Sequence, residues 1–407
     1  MKSLGLSDEI SRAVMECGYT TPTEIQQRVI PVILSGKDVI GAANTGTGKT
    51  AAYVLPLLQA LAKNTYVEHR HIRALILVPT RELAIQVNAS IRKYGAYLEL
   101  QSMAMMGGVN MGPQIKQLKS QVDILVTTPG RLLDHVQQKT VNLSHVSMFV
   151  LDEADRMLDM GFIKDIKRIV PLLPKRRQNL LFSATFSQDM KNLISNFFDN
   201  PMLVNARNNE VTAPSITHKV YPVNANQKRD LLEHLITEHN WYQVLVFTRT
   251  KHVANRLGEH LNDSGIPSGI IHGNKSQAAR NKALERFKKG SLQVLVATDV
   301  AGRGIDIEDL DYVVNYELPF VPEDYVHRIG RTGRAGREGN AISLVCVDEH
   351  KLQRDIERFI QAKLPEEVIP GFEPDRSIRP QPLKRGGGSN SGSRGRARGR
   401  GHVKRGK

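Results

Sequence analysis

Asp38-Val39-Ile40-Gly41-Ala42-Ala43-Asn44-Thr45-Gly46-Thr47-Gly48-Lys49-Thr50-Ala51-Ala52-Tyr53-Val54-Leu55 runs from a short apolar segment, through a glycine-bearing loop, into an apolar helical pattern. That succession of strand, loop and helix is the context a phosphate-binding loop requires. Gly46 and Gly48 let the backbone turn its N–H groups toward phosphate, and the helix start adds partial positive charge. Lys49 supplies a point charge to the β and γ phosphates, and Thr50 a hydroxyl for Mg2+. Ala43 stands where the first glycine of the usual pattern would be. A dinucleotide fingerprint, Gly46-x-Gly48-x-x-Ala51, also fits, but it wants an acid at a strand end about 20 residues on. Glu68 is near that distance and lies in the polar stretch 64–70.

A second apolar run, Ser147-Met148-Phe149-Val150-Leu151, ends in Asp152-Glu153-Ala154-Asp155. Acids at the end of a buried strand complement a phosphate loop. Asp152 is placed to hold Mg2+ through water, and Glu153 to orient and deprotonate an attacking water. A solvated acidic helix start explains the same letters, but loses ground once Lys49-Thr50 ends another strand of the same half.

The chain has 407 residues, which suggests two domains. Apolar runs at 74–78, 123–126 and 180–182 alternate with helical stretches such as 82–97. Continuous β-rich runs between helices read as buried parallel strands of an α/β fold. The rhythm stops in a polar, turn-rich stretch and restarts at 243–247, 269–271, 293–297, 312–314 and 341–345. The expected division is a first domain over 1–206, a linker over 207–216, a second domain over 217–370 and a disordered basic tail over 371–407. Net charge is +15, and nine of the excess bases lie beyond Gln381, where no acid occurs. Such an excess points to a polyanionic partner. The two cysteines, Cys17 and Cys346, form no disulfide framework or zinc motif, and no run of about 18 apolar residues exists to span a membrane. A reducing, cytoplasmic setting is expected.

Taken together the motifs resemble those of the DEAD-box RNA helicases, over about residues 4–368. Gly18-Tyr19-Thr20-Thr21-Pro22-Thr23-Glu24-Ile25-Gln26 resembles the family's Q motif, which implies adenine recognition by Gln26, with Tyr19 and Thr21 beside it, and hence ATP. Pro79-Thr80-Arg81, Gly107-Gly108 and Thr128-Pro129-Gly130-Arg131 resemble its RNA-backbone motifs, with hydroxyls, positive charge and exposed amides for a sugar-phosphate strand. Ser183-Ala184-Thr185 resembles the motif coupling hydrolysis to strand separation, a role shared by implication with Asp155, His327 and Arg328. In the second half, Thr248, Arg249, Gln277, Arg280, Thr298, Asp299, Gly302 and Arg303 match RNA-facing positions. Asp306 is implied at the ribose, and Arg331 and Arg334 as arginine fingers on the γ-phosphate. Leu158–Phe162, His272–Ser276 and Leu344–Leu352 are similar to the bacterial RhlE-type subgroup.

The resemblance implies two tandem RecA-like domains that close on ATP and RNA, with local rather than processive unwinding. It implies an ATP hydrolase using Mg2+, working on single strands and short duplexes of RNA, in ribosomal precursors or RNA-decay complexes. The family's adenine-stacking aromatic would align at about Met1, so either the chain starts short or stacking is weaker, and Glu24 replaces the usual proline. An ATP-dependent RNA clamp with little unwinding, or a DNA helicase of the same superfamily, fits the same motifs. The basic tail is expected to tether RNA, with a solubilising tail as the alternative.

Overall fold

The computed structural model describes residues 2–42, 47–63, 71–184, 188–198, 200–205, 216–302, 307, 310–333, 338–375 and 377–383. Ala43, Asn44, Thr45, Gly46, Thr185, Arg303, Asp306 and Arg334, the stretch 206–215 and the tail from 384 lie outside them.

The first half runs α1 (Asp8–Glu16), α2 (Glu24–Leu34), β1 (Val39–Ala42), α3 (Lys49–Ala62), β2 (Ala74–Leu77), α4 (Arg81–Tyr94), β3 (Ser102–Met105), α5 (Met111–Leu118), β4 (Ile124–Thr127), α6 (Pro129–Gln137), β5 (Met148–Leu151), α7 (Ala154–Asp159), α8 (Ile163–Ile169), β6 (Gln178–Ser183), α9 (Gln188–Phe197) and β7 (Met202–Asn205). The second runs β8 (Ile216–Pro222), α10 (Lys228–Glu238), β9 (Val244–Thr248), α11 (Lys251–Asp263), β10 (Ser268–Ile271), α12 (Gln277–Lys288), β11 (Val294–Thr298), α13 (Asp299–Gly302), β12 (Tyr312–Asn315), α14 (Pro322–Ile329), β13 (Gly339–Val345) and α15 (His350–Ile360).

Each half holds one wholly parallel sheet, in the orders β3-β4-β2-β5-β6-β1-β7 and β10-β11-β9-β12-β13-β8. The central strands are buried on both faces, which explains their unbroken apolar letters. In the first half, Ile25, Leu55 and Val87 fill the layer on one face, and Leu132, Met157 and Ile166 the layer on the other. In the second, Leu231, Trp241 and Leu257 lie on one face, and Phe247, Ile271 and Phe287 on the opposite one. The α/β fold with two parallel sheets is the one expected.

Two expected boundaries shift. β8 begins at Ile216, inside the stretch read as linker, where it pairs with Gly339 of β13. Within 371–383, read as the start of the tail, several residues contact the second half instead. Phe372 sits against the core beside His234, and the amides of Asp375 and Gln381 donate to Asn224 Oδ1 and Asp348 Oδ1 at 2.9 and 2.6 Å. One apolar ring and a few side-chain acceptors hold a segment whose composition alone reads as unfolded. Just before it, Val220 of β8 donates to Pro365 O and accepts from the Glu367 amide, so the chain covers the outer edge of its own sheet.

Candidate nucleotide and RNA site

Nearly every motif follows the carboxyl end of a strand, the position where parallel α/β sheets present their ligand sites. Lys49 follows β1, Asp152 to Asp155 follow β5, and Ser183 ends β6. Gly48 has φ +87° and sits at the N-terminus of α3. A Cβ there would lie 2.5 Å from Gln26 Nε2 and would strain the backbone, so only glycine fits. Gln26 itself accepts from the Thr23 amide (3.0 Å) and donates to Gly48 O (3.2 Å). It therefore braces the phosphate loop from α2, and both ends of its amide are engaged.

Asp152 is buried at the end of β5. Its Oδ2 accepts from the Tyr53 hydroxyl at 2.7 Å, and its Oδ1 accepts from the Glu153 amide at 2.9 Å. Burial, and then the charge of Glu153, push its carboxyl up to about 6 despite Lys49 and the Tyr53 hydrogen bond. A bound cation would relieve that cost, so the donor set of Thr50 and Asp152 fits one. Glu153 occupies the left-handed region at φ +51°. Its Oε2 lies 3.0 Å from Nη1 of the buried Arg156. Asp155 accepts from the Ala184 amide at 2.9 Å, tying this turn to the end of β6. Burial raises the Asp155 carboxyl, but Lys49, His327 and Arg156 outweigh that and leave it lowered. His327 belongs to the second half, so the two halves already share an electrostatic environment here.

A cleft of about 890 Å3 lies between the halves, lined by Tyr19, Gln26, Lys49, Asp152 and Glu153 from one and Arg331 from the other. Its size suits a nucleotide. Among the described residues, no group of three or more His, Cys, Asp or Glu side chains gathers to hold a metal.

The RNA-facing candidates divide into two groups. Arg81 lies against Gly107 and Gly108, and at Gly108 (φ +78°) any Cβ would overlap its guanidinium. Thr128 precedes α6, Pro129 opens it, and Gly130 faces open space. Thr80 is buried, and its hydroxyl caps α4 by accepting from the Leu83 amide at 3.3 Å. Near His272, the charges of Lys251, His252, Lys275 and Arg280 cluster and, with burial first, hold its imidazole low. Exposed members of that cluster, Lys251 and His252, open α11.

The other candidates are turned inward, because a buried charge must be paired. Arg131 donates to Val109 O and to Gln114 Oε1 (3.3 Å), so it shapes the loop at Gly108 rather than facing solvent. Arg249 is held by Glu317 (3.0 Å) and Glu349 (3.3 Å). Asp299 pairs with Arg328 at 2.6 Å, and Arg328 also reaches Asn315 and Glu317 O. The Thr248 hydroxyl is spent on Thr250 O at 3.3 Å. Thr298 is buried, and a Cβ on Gly302 would overlap the Phe247 ring, which explains that glycine by packing. Gln277 and Arg280 cross the cleft to Glu82 at the start of α4, at 3.0 and 2.8 Å, with all three side chains buried. In this structure they clasp the halves together.

Tyr53, Arg156, Glu317, Lys228 and Glu349 escaped the sequence reading. Lys228 donates to Glu349, whose other contacts include the Leu318 amide at 3.0 Å. Only the tyrosine carried a sequence signal, a polar tip inside an apolar helix.

Family models match both halves: DEAD/DEAH box helicase over residues 23–193, and helicase conserved C-terminal domain over 227–336. A Geobacillus kaustophilus protein named DEAD-box ATP-dependent RNA helicase CshA is 41% identical over 93% of this chain and 81% of its own length. The Helicobacter pylori (strain ATCC 700392 / 26695) helicase RhpA is 39% identical over 92% and 75%. The structure of S. cerevisiae Dbp5 bound to RNA and ADP BeF3 superposes with a TM-score of 0.81, at 32% identity over 90% of this chain and 95% of that one. A DEAD box protein from Methanococcus jannaschii is 42% identical over 90% and 98%, yet reaches only 0.51.

Proposed function

The chain belongs to the DEAD-box ATP-dependent RNA helicases, and from that premise we propose how its own residues divide the work. The arrangement supports Lys49 and Arg331 gripping the β and γ phosphates from opposite halves, with Arg334 as a second finger. Glu153, held at the strand end beside Asp152, orients and deprotonates the attacking water. Mg2+, when bound through Thr50 and Asp152, neutralises developing phosphate charge. Gln26 senses the base and, through Gly48, the shape of the loop beneath the phosphates; Tyr19, Thr21 and Asp306 complete the nucleoside side.

RNA lies across Arg81, Gly107, Gly108, Thr128 and Gly130 of one half and the basic start of α11 in the other, with Arg303 beside it. Arg131, Arg249, Asp299 and Arg328 fix these segments. Closure bends one strand away from its duplex partner. DNA stacking averages about 1.4 kcal/mol per step, so one closure can open a short duplex locally. The observation that carries this reading is the shared cleft, with Lys49 and Glu153 on one wall and Arg331 on the other.

Within the family, the RhlE-type likeness of 158–162, 272–276 and 344–352 stays part of the proposal, beside relatives named CshA and RhpA. A cytoplasmic place in ribosome assembly or RNA turnover, and a tail that tethers RNA, complete it. Among the described residues no helix is long and apolar enough to cross a membrane. The test is Glu153→Gln, measured by RNA-stimulated ATPase and displacement of a short RNA duplex. Turnover should fall by about 10²–10⁴-fold with nucleotide binding kept. Unchanged turnover removes Glu153 as the base, and ATPase stimulated by DNA but not RNA reassigns the substrate.

A further inference from the structure

Tyr53 is wholly buried in α3, one turn beyond Thr50. A phenol in an apolar helix needs a partner for its O–H. Here the hydroxyl donates to Asp152 Oδ2 at 2.7 Å, and Thr50 lies one turn earlier on the same helix. We propose that Tyr53 is a positioning residue of the metal–nucleotide site, its hydroxyl holding Asp152 so that the carboxylate and Thr50 can face one divalent cation.

The lone-pair count is consistent with this. The Thr50 hydroxyl oxygen has lone pairs to offer a cation. Asp152 gives one lone pair of Oδ2 to Tyr53 and one of Oδ1 to the Glu153 amide, and each oxygen keeps another. The phenol and the Glu153 amide thus hold the strand-end acid from its two oxygens and leave a lone pair on each for a cation.

The ring is fixed as firmly as its hydroxyl. It packs on Phe182 of β6 with centroids 5.1 Å apart. Phe182 pairs in register with Gly41 of β1, where a Cβ would meet its ring at 2.5 Å. Gly41 thereby admits the aromatic pair directly beneath the phosphate loop. β6 continues into Ser183 and Ala184, so the Tyr53 ring also rests on the strand that reaches Asp155.

The inference rests on Thr50 and Asp152 as the cation's anchors, and the experiment separates the two claims. In the full chain, the affinity of a fluorescent ADP is measured in EDTA and across a Mg2+ titration, for wild type, Tyr53→Phe and Asp152→Asn. Mn2+ bound in the nucleotide complex is counted in parallel by electron paramagnetic resonance. Tyr53→Phe keeps the ring, so affinity in EDTA should stay within about twofold, while the lost buried hydrogen bond lowers thermal stability modestly. The half-saturating Mg2+ concentration should rise about fivefold or more, because a hydrogen bond to a charged acceptor is removed. Superimposable Mg2+ titrations for wild type and Tyr53→Phe, with Asp152→Asn shifted, overturn the role of Tyr53 alone. If Asp152→Asn also leaves Mg2+ dependence unchanged, the cation site itself is wrong. Equal loss of affinity with and without Mg2+ in Tyr53→Phe likewise overturns the positioning role.

Discussion

Replacing Glu82 by Gln tests whether the two halves are clasped as the structure shows. Glu82 Oε2 sits 2.8 Å from Arg280 Nη2 and Oε1 accepts from Gln277 at 3.0 Å, with both cationic and anionic side chains about 95% shielded (4% and 5% exposed). The pair joins α4 of one domain to α12 of the other, so it forms only when the halves meet. Each domain keeps its own core, and the substitution should leave the melting temperature nearly unchanged. A hydrogen bond to a charged group contributes about 1.5–3 kcal/mol. Breaking a buried pair while leaving the other charge in place costs about 3–5 kcal/mol, which sets the ceiling. At about 1.4 kcal/mol per factor of ten, the lower range moves the closing equilibrium by roughly 10- to 100-fold. Fluorescence transfer between one dye in each domain, with RNA and a non-hydrolysable ATP analogue, reads that equilibrium directly. RNA-stimulated kcat/KM should fall about tenfold or more. A double-mutant cycle with Arg280→Met should give a coupling of at least about 1 kcal/mol. Strict additivity, with RNA affinity falling through Arg280→Met alone, would refute the clasp and return Arg280 to the RNA.

Asp152 offers a test in pH. Its carboxyl is raised to about 6, so the native domain holds that proton more tightly than the unfolded chain. Without cation, stability therefore falls as pH rises from about 4 to about 6 and stays lower above. Asp152→Asn should stabilise the apo protein at pH 7.5 by on the order of 2–3 kcal/mol, a gain that shrinks toward zero at pH 4. A pH-independent gain contradicts the cause assigned to the shift. Gly48→Ala should abolish ATP binding in an equilibrium titration while the fold survives, since the new Cβ strikes Gln26. Ending the chain at residue 383 should lower RNA affinity in a salt series, reducing the slope of log K against log salt by about 0.7 for each phosphate that the tail had neutralised. An unchanged slope makes the tail a solubilising appendage.

The central strands were legible because burial on both faces writes four or five apolar letters in a row. The phosphate loop and the acids after β5 were legible because their chemistry is local in sequence. β3, Ser-Met-Ala-Met, lacks β-branched residues, and β7 has three exposed positions of four, so neither edge strand carries that pattern. The motifs named Arg131, Arg249, Gln277 and Arg280 but not the direction of their side chains. A guanidinium on the surface and one paired across a cleft have the same letter, and the deciding acids, Glu82, Glu317 and Glu349, lie far away in the chain. Tyr53 was hidden for the converse reason, since an apolar helix uses its ring whether or not its hydroxyl finds Asp152.

The return of residues 365–367 along β8 has a consequence for how such chains diversify. An open parallel edge invites pairing with another molecule, and here the protein's own backbone fills that place at Val220. Further on, the amides of Asp375 and Gln381 donate to Asn224 and Asp348 of the same half. Sequence change beyond this return segment therefore need not expose the β8 edge at Val220 to a pairing partner.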